Sequence, residues 1–315
     1  MLKERGFYKG VNLGGWLSQC DYSHDRLYGF IKDEDFAVIA GWGLDHVRIP
    51  VDYNVIDDGN GGPVEEGFAL IDNAIAQCEK NGLNVVLDLH KTAGYSFDAG
   101  EKEAGFFCSA DLQERYYKLW ENIARRYGSK NKNVAFELLN EVTDKEFCES
   151  WKNIIKTCIG RIRVYAPDTI IIVGSYWYNS PEALPDLDEP YDKNTVYNFH
   201  CYQPMCFTHQ GAYWMEEMKA VRTVFEESGT DEALFEKFFA PALEKAAKHG
   251  ADLYCGEYGV IDIASAEDAL KWYKVINRVF EKYGLSRAAW SYREMDFGIS
   301  DKRMDGVRGE LIKYL

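Results

Sequence analysis

The sequence predicts an α/β protein, one (β/α)8 barrel of the TIM class covering residues 1–315. Eight short apolar runs are spread along a chain of 315 residues, and amphipathic segments of helical period separate most of them. Polar and aromatic residues stand just after the runs, the face at which such barrels build their sites. A doubly wound open sheet is the alternative with the same order of elements.

The runs read as strands at 8–12, 45–49, 84–89, 134–138, 170–173, 196–199, 252–255 and 287–290. Helical spacing of apolar residues covers 68–81, 111–127, 146–165, 233–249 and 266–283. Glycines stand where these helices should stop, at Asn81-Gly82, Gly128, Gly250 and Gly284. From Gln203 to Asp231 the chain leaves the repeat for a long polar and aromatic excursion, the kind of connection that serves as a lid or subsite wall. No linker, repeat or low-complexity tract interrupts it, so a single domain is expected.

Composition narrows the function classes. A formal net charge of -15 opposes nucleic acid and anionic membrane surfaces and suits a neutral partner. The start of the chain runs through charged residues into GVNLGGW with no apolar leader, and no run reaches membrane-spanning length. A soluble, cytoplasmic monomer is the expectation. The eight cysteines contain no CxxC and are expected as free thiols. The six histidines form neither HxH nor HExxH, which argues against catalytic zinc, and there is no GxSxG. GVNLGGW lacks GxGxxG and a P-loop lysine, so no nucleotide cofactor is expected.

The chemistry concentrates in two short segments. FELLNEV, 136–142, ends an apolar run in Asn140 and Glu141; LYCGEYGV, 253–260, brings Glu257 to an equivalent place. Two strand-end carboxylates are the minimum equipment for cutting a glycosidic bond, one protonating the leaving oxygen and one attacking the anomeric carbon. Either acid alone also reads as a helix-start residue or a surface ion-pair partner. Arg48, His90, His200, Tyr202 and Trp290, all near strand ends, give the pair its company. A buried Arg48 needs an anion beside it. The histidines and aromatics also read as satisfied core residues. Trp177 and Trp214 are candidates for sugar stacking, as are Phe207 and Tyr213 more weakly, whereas Trp16 reads as core.

With these motifs placed, the chain resembles glycoside hydrolase family 5, and within it the bacterial endoglucanase C type. The likeness runs through GVNLGGW, DHVRIP, LDLHKTAGYSF, FELLNEV, YNSPEAL, VYNFHCYQP, LYCGEYGV and AAWSYREMDF in order. It implies an eight-stranded barrel that hydrolyses β-linked glucan or gluco-oligosaccharide with retention and without metal or cofactor. It also implies Glu141 as acid/base, Glu257 as nucleophile and Asn140 on the substrate 2-hydroxyl. Arg48 and Tyr202 would orient and ionise Glu257, His90 and His200 would line the cleavage subsite, and Trp290 would be its stacking floor. Donors on Glu257 should lower its pKa, while burial and the charge of Glu257 should raise that of Glu141. After His90 the chain carries Lys91-Thr92-Ala93-Gly94 where relatives commonly have a second His and a Pro. GVNLGGW also resembles the opening of the family's exo-β-1,3-glucanases, so an exo-acting β-glucosidase or exo-β-1,3-glucanase on oligosaccharides or glycoconjugates stays open beside an endo-acting β-1,4- or mixed-linkage glucanase. A non-catalytic sugar-binding barrel is the least favoured reading, because both acids are present.

Overall fold

The computed structural model describes residues 2–98, 101, 103–128 and 132–315. Eight strands form a closed parallel barrel in sequential order: β1 (Lys9–Asn12), β2 (His46–Asp52), β3 (Asn84–Lys91), β4 (Val134–Glu137), β5 (Ile171–Val173), β6 (Thr195–Cys201), β7 (Leu253–Tyr258) and β8 (Ser286–Ala289). Pairing of Gly10 with Ala288 closes the ring. The open-sheet alternative is thereby excluded.

Six long helices lie outside the barrel among the described residues: α1 (Asp33–Gly41), α2 (Glu65–Lys80), α3 (Ala110–Tyr127), α4 (Cys148–Arg163), α5 (Glu232–His249) and α6 (Ala266–Tyr283). Ser109, Asp231 and Ser265 cap α3, α5 and α6 by accepting a first-turn backbone N–H. Gly250 and Gly284 close α5 and α6 in the left-handed region, as expected. Gly128 differs: its φ is -72°, and an added Cβ would sit 2.2 Å from that of Ala166, so close packing is what requires glycine there.

The connection from β5 to β6 departs from the regular strand-helix repeat. It holds only a single turn at Tyr176–Asn179 and a 3-10 turn at Leu184–Asp186. Pro181, Pro185 and Pro190 fall within it and remove the donors a long helix would need.

Strand alternation splits the buried residues into two sets. Outward side chains such as Val47, Ile49, Leu87 and Phe136 pack beneath the helices. Inward ones, Val86, Ala135, Ile172, Val196, Tyr254 and Ala288, join Phe7 in a separate plug at the N-terminal end of the barrel. The plug keeps water from the barrel floor; the next inward layer is polar. The segment after β6 begins with a short helix, Met205–Thr208, and is tied to the barrel by Ile261 N–H donating to the Thr208 carbonyl. Its Ala212 packs with Ile261, Trp290 and Phe297. No helix among the described residues is long and apolar enough to cross a membrane.

Candidate active site

The site begins one layer below the barrel mouth with Arg48. The sequence suggests a strand end, but Arg48 lies third in the seven-residue β2, level with Asn12 and Val86, and is fully buried. Its Nε and Nη2 donate to the two carboxylate oxygens of Glu137 at 2.7 and 2.8 Å. Nη1 donates to Asn12 Oδ1 and Glu257 Oε1, both at 2.9 Å. Nη2 also reaches Asn140 Oδ1 at 2.7 Å and Asp88 Oδ2 at 2.9 Å. One guanidinium thus organises three carboxylates, a use for which its planar fork is suited and an ammonium is not.

Glu257 owes its direction to a β-bulge. Pairing of β6 with β7 runs Phe199 to Cys255 and then His200 to Glu257, skipping Gly256. Simple alternation from inward Tyr254 would turn Glu257 outward; the extra residue returns it to the barrel interior. Gly256 has no space for a side chain, since a Cβ would lie 2.8 Å from Asn198 Oδ1 and 3.0 Å from His200 Nε2. Tyr202, just after β6, donates its hydroxyl proton to Glu257 Oε2 at 2.9 Å.

Glu141 follows β4 on a short loop whose backbone is held by Tyr95. The Tyr95 hydroxyl donates to the Glu141 carbonyl at 2.5 Å and accepts from Thr143 N–H at 2.8 Å. Its carboxylate meets His200 Nδ1 at 2.7 Å, and the same nitrogen is 3.6 Å from Glu257 Oε2. One oxygen of each acid and a ring nitrogen of His200 lie within 4.8 Å of one another. Such a trio raises the question of a metal. However, His200 Nε2 faces two amide nitrogens, Asn179 Nδ2 at 3.3 Å and Asn198 Nδ2 at 3.5 Å. Nε2 is therefore the acceptor and Nδ1 carries the proton, which makes it a donor to carboxylate rather than a metal ligand.

Burial raises the Glu141 carboxyl well above its ordinary value, and the charge of Glu257 raises it further. For Glu257 the expected lowering is corrected. Burial pushes it up, although Arg48, His90 and Tyr202 all oppose this. The ordering of the pair keeps Glu141 the better proton holder. Burial also drives Asp88 and Glu137 up to about 7 and His90 down to about 4, while His200 is held well below its usual range.

His90 pairs through Nδ1 with Asp88 at 2.5 Å, and its ring is parallel to Trp290 with centroids 5.8 Å apart. Gly14 makes room for Trp290, because a Cβ there would meet the indole at 2.8 Å. That explains part of the glycine-rich GVNLGGW. Asn140 Nδ2 is buried with no acceptor among the described residues, so it is free to donate.

The structure brings together Arg48, His90, Asn140, Glu141, His200, Tyr202, Glu257 and Trp290. The two remaining tryptophans lie farther out. Trp177 is 49% exposed on the turn after β5, its N–H bonded to the Thr143 carbonyl beside Glu141. Trp214 is 39% exposed and separated from Glu257 by two rings, His209 and Tyr202. Trp16 and Phe207 are core. Asn12, Asp88, Glu137, Asn179 and Asn198 were not singled out by sequence. A signal existed for two: Asp88 precedes His90 by two residues and Asn198 precedes His200 by two, so strand period puts each on the same face, one layer down.

Two carboxyls facing each other at the C-terminal mouth of a parallel barrel, one gripped by donors and the other pushed up by burial and by its partner's charge, define a barrel glycosidase. Comparison with known proteins makes the assignment particular. Residues 9–296 match the model of Cellulase, glycosyl hydrolase family 5. Cellodextrinase A of Ruminococcus flavefaciens is 56% identical over 91% of this chain and 86% of its own. Endoglucanase C of Acetivibrio thermocellus is 35% identical over 98% of both chains. The structure of Thermotoga maritima Cel5A in complex with cellobiose superposes with a TM-score of 0.84 at 28% identity, covering 99% of this chain and 98% of that one. The chain belongs to the cellulase family, glycosyl hydrolase family 5, and is a β-glucan hydrolase.

Proposed function

We propose that the chain hydrolyses β-1,4-linked gluco-oligosaccharides and soluble β-glucan with retention of configuration, using Glu257 as nucleophile and Glu141 as acid/base. The observation that carries this reading is the separation of the two acids, whose oxygens approach within 4.8 Å. Retaining enzymes hold their carboxyls about 5–5.5 Å apart, and inverting ones leave a gap of about 6.5–9.5 Å for water.

In the first step a Glu257 oxygen attacks the anomeric carbon and the bond to the leaving oxygen breaks. Glu141 gives its proton to that oxygen. In the second step water attacks the same carbon, Glu141 takes the water's proton and the bond to Glu257 breaks. Once Glu257 is esterified its charge is gone, so Glu141 ionises more readily when it must act as base. Arg48 and Tyr202 keep the nucleophile anionic and aimed. Asn140, its Oδ1 fixed by Arg48, offers Nδ2 to the substrate 2-hydroxyl. His90 and Trp290 shape the cleavage subsite, and the exposed ring of Trp177, on the turn bonded to the loop of Glu141, would stack a sugar on the leaving-group side. Trp214 would act as an outer stacking surface on the 203–231 excursion, a subsite wall.

The names of the relatives, a cellodextrinase and an endoglucanase, support short and long β-glucan chains as the substrate class. The test is digestion of mixed-linkage β-glucan and cellotetraose beside a Glu257→Gln control, with products resolved by size and anomeric form. An early ladder of β-anomeric oligosaccharides is expected. α-Anomeric first products would overturn the mechanism, and glucose alone from chain ends would replace internal cleavage with exo action.

A further inference from the structure

Three successive residues after β5, Trp177, Tyr178 and Asn179, adopt left-handed backbone conformations with φ of 54°, 57° and 56°. Side chains other than glycine rarely accept this, and a run of three is held only by strong surroundings. Here the restraint comes from the acid loop. Trp177 N–H donates to the Thr143 carbonyl at 3.1 Å and Tyr178 N–H to the Val142 carbonyl at 3.0 Å, just past Glu141. The turn delivers Asn179 into the barrel, fully buried, over Gly174, where any Cβ would lie 2.0 Å from its Oδ1.

The Asn179 amide has a fixed orientation. Its Nδ2 meets the Asn140 carbonyl at 2.8 Å, and a carbonyl only accepts. The second hydrogen on Nδ2 therefore points at His200 Nε2, 3.3 Å away. The other amide near that nitrogen, Asn198 Nδ2, is farther at 3.5 Å and already donates to Glu137 Oε1 at 2.9 Å.

We propose that Asn179 is a positioning residue of the reaction, whose amide selects the His200 tautomer that carries its proton on Nδ1 and donates it in a hydrogen bond to Glu141. The inference rests on the reading of Glu141 as acid/base. A neutral imidazole has two tautomers, and only one can stabilise the Glu141 carboxylate that forms when the leaving group takes its proton. With the other tautomer, Glu141 would have to stay protonated to satisfy the ring. Strain in the turn is thus tied to a proton inventory at the acid/base.

Other groups acting on Glu141 are Glu257 from β7, Arg48 from β2, Asp88 from β3, Asp98 and Tyr95 after β3, Tyr178 on the turn and Tyr202 after β6. His200 also feels Arg48 and His90. Replacing the amide of Asn179 leaves all of them in sequence.

The experiment compares the intact enzyme with Asn179→Asp and Asn179→Gly, both of which tolerate left-handed backbone. Nitrogen-15 shifts of the His200 ring read the tautomer directly, and kcat/KM against pH reads Glu141. The intact protein should show Nδ1 protonated, and Asn179→Asp should move the proton to Nε2. Loss of the donor to Glu141 should raise the alkaline limb by about one pH unit, the scale of one charge-assisted hydrogen bond. Protonated Nε2 in the intact enzyme would overturn the proposal. So would an unmoved tautomer and limb in both variants. A Glu141→Gln control separates the two readings: full activity on cellotetraose in that variant refutes Glu141 as acid/base, whereas a crippled Glu141→Gln beside unchanged Asn179 variants refutes only the role of Asn179.

Discussion

Arg48 and Glu257 are joined by a single hydrogen bond, Nη1 to Oε1 at 2.9 Å, while the same guanidinium clasps both oxygens of Glu137 from the opposite edge. Glu257, the proposed nucleophile, is therefore held by a group that is itself held. Removing the guanidinium strands Asp88 and Glu137 in the barrel without a cation.

Arg48→Lys tests this. An ammonium keeps the charge but cannot bridge Glu137, Glu257, Asn12 and Asn140 together. Loss of a preorganised donor of this kind costs about 10²–10³-fold in rate. The expected result is a fall of that size in kcat/KM, with a lower melting temperature from the imperfectly paired acids. Near-normal kinetics would show that charge alone suffices.

Glu257→Ala should abolish hydrolysis while leaving cellotetraose binding measurable by calorimetry. Added azide should restore turnover and give the inverted glycosyl azide, since the small anion enters where the carboxylate stood. Undiminished hydrolysis would sink the double-displacement mechanism.

The pH dependence follows from the two carboxyls. As the proposed acid/base, Glu141 must be protonated for the first step, and burial together with the Glu257 charge raises its pKa. Activity in kcat/KM is accordingly lost as pH rises through that raised value, and on the acid side as Glu257 gains a proton. In Glu257→Gln the like-charge repulsion disappears, so the Glu141 pKa should drop. Carbon-13 titration of the labelled carboxyl measures this; an unchanged value would mean that burial alone sets it.

Gly256→Ala places a methyl 2.8 Å from Asn198 Oδ1 inside the bulge. Overpacking of this kind costs about 1–3 kcal/mol. A reduced melting temperature and a disproportionate loss of kcat are expected, because the displaced groups are Asn198 and His200. A stable variant with normal kcat would show that the bulge tolerates a side chain.

Trp177→Ala removes an exposed ring, 49% accessible, that the proposed function sets on the leaving-group side. An aromatic contact is worth about 0.5–1.5 kcal/mol beyond its area, so KM for cellotetraose should rise several-fold while hydrolysis of an aryl β-glucoside, which has no sugar there, stays constant. Equal effects on both substrates would place the ring's influence on folding instead.

The barrel was legible because its physics is local and repeated. Eight apolar runs alternating with amphipathic helices, and capping residues such as Ser265 and Gly284, act over a few residues and leave their pattern in the chain. The pairing of Asn140 with Glu141, and the placing of Glu257 after LYCG, were legible for the same reason. Some features depend on alignment between distant strands. Register made Gly256 a bulge and turned Glu257 inward, and it put Asp88 beside Glu137. Closure of the ring placed Asn12, Asp88, Glu137 and Asn198 in a layer around or beneath Arg48. The left-handed turn that brings Asn179 to His200 had no local signal, because backbone strain is sustained by partners more than thirty residues away in sequence. The sequence by itself determined the order of elements, the two acids and most of their neighbours. Tertiary structure alone decided which way each side chain points and where each proton sits, since hydrogen-bond direction and burial exist only once the strands are paired.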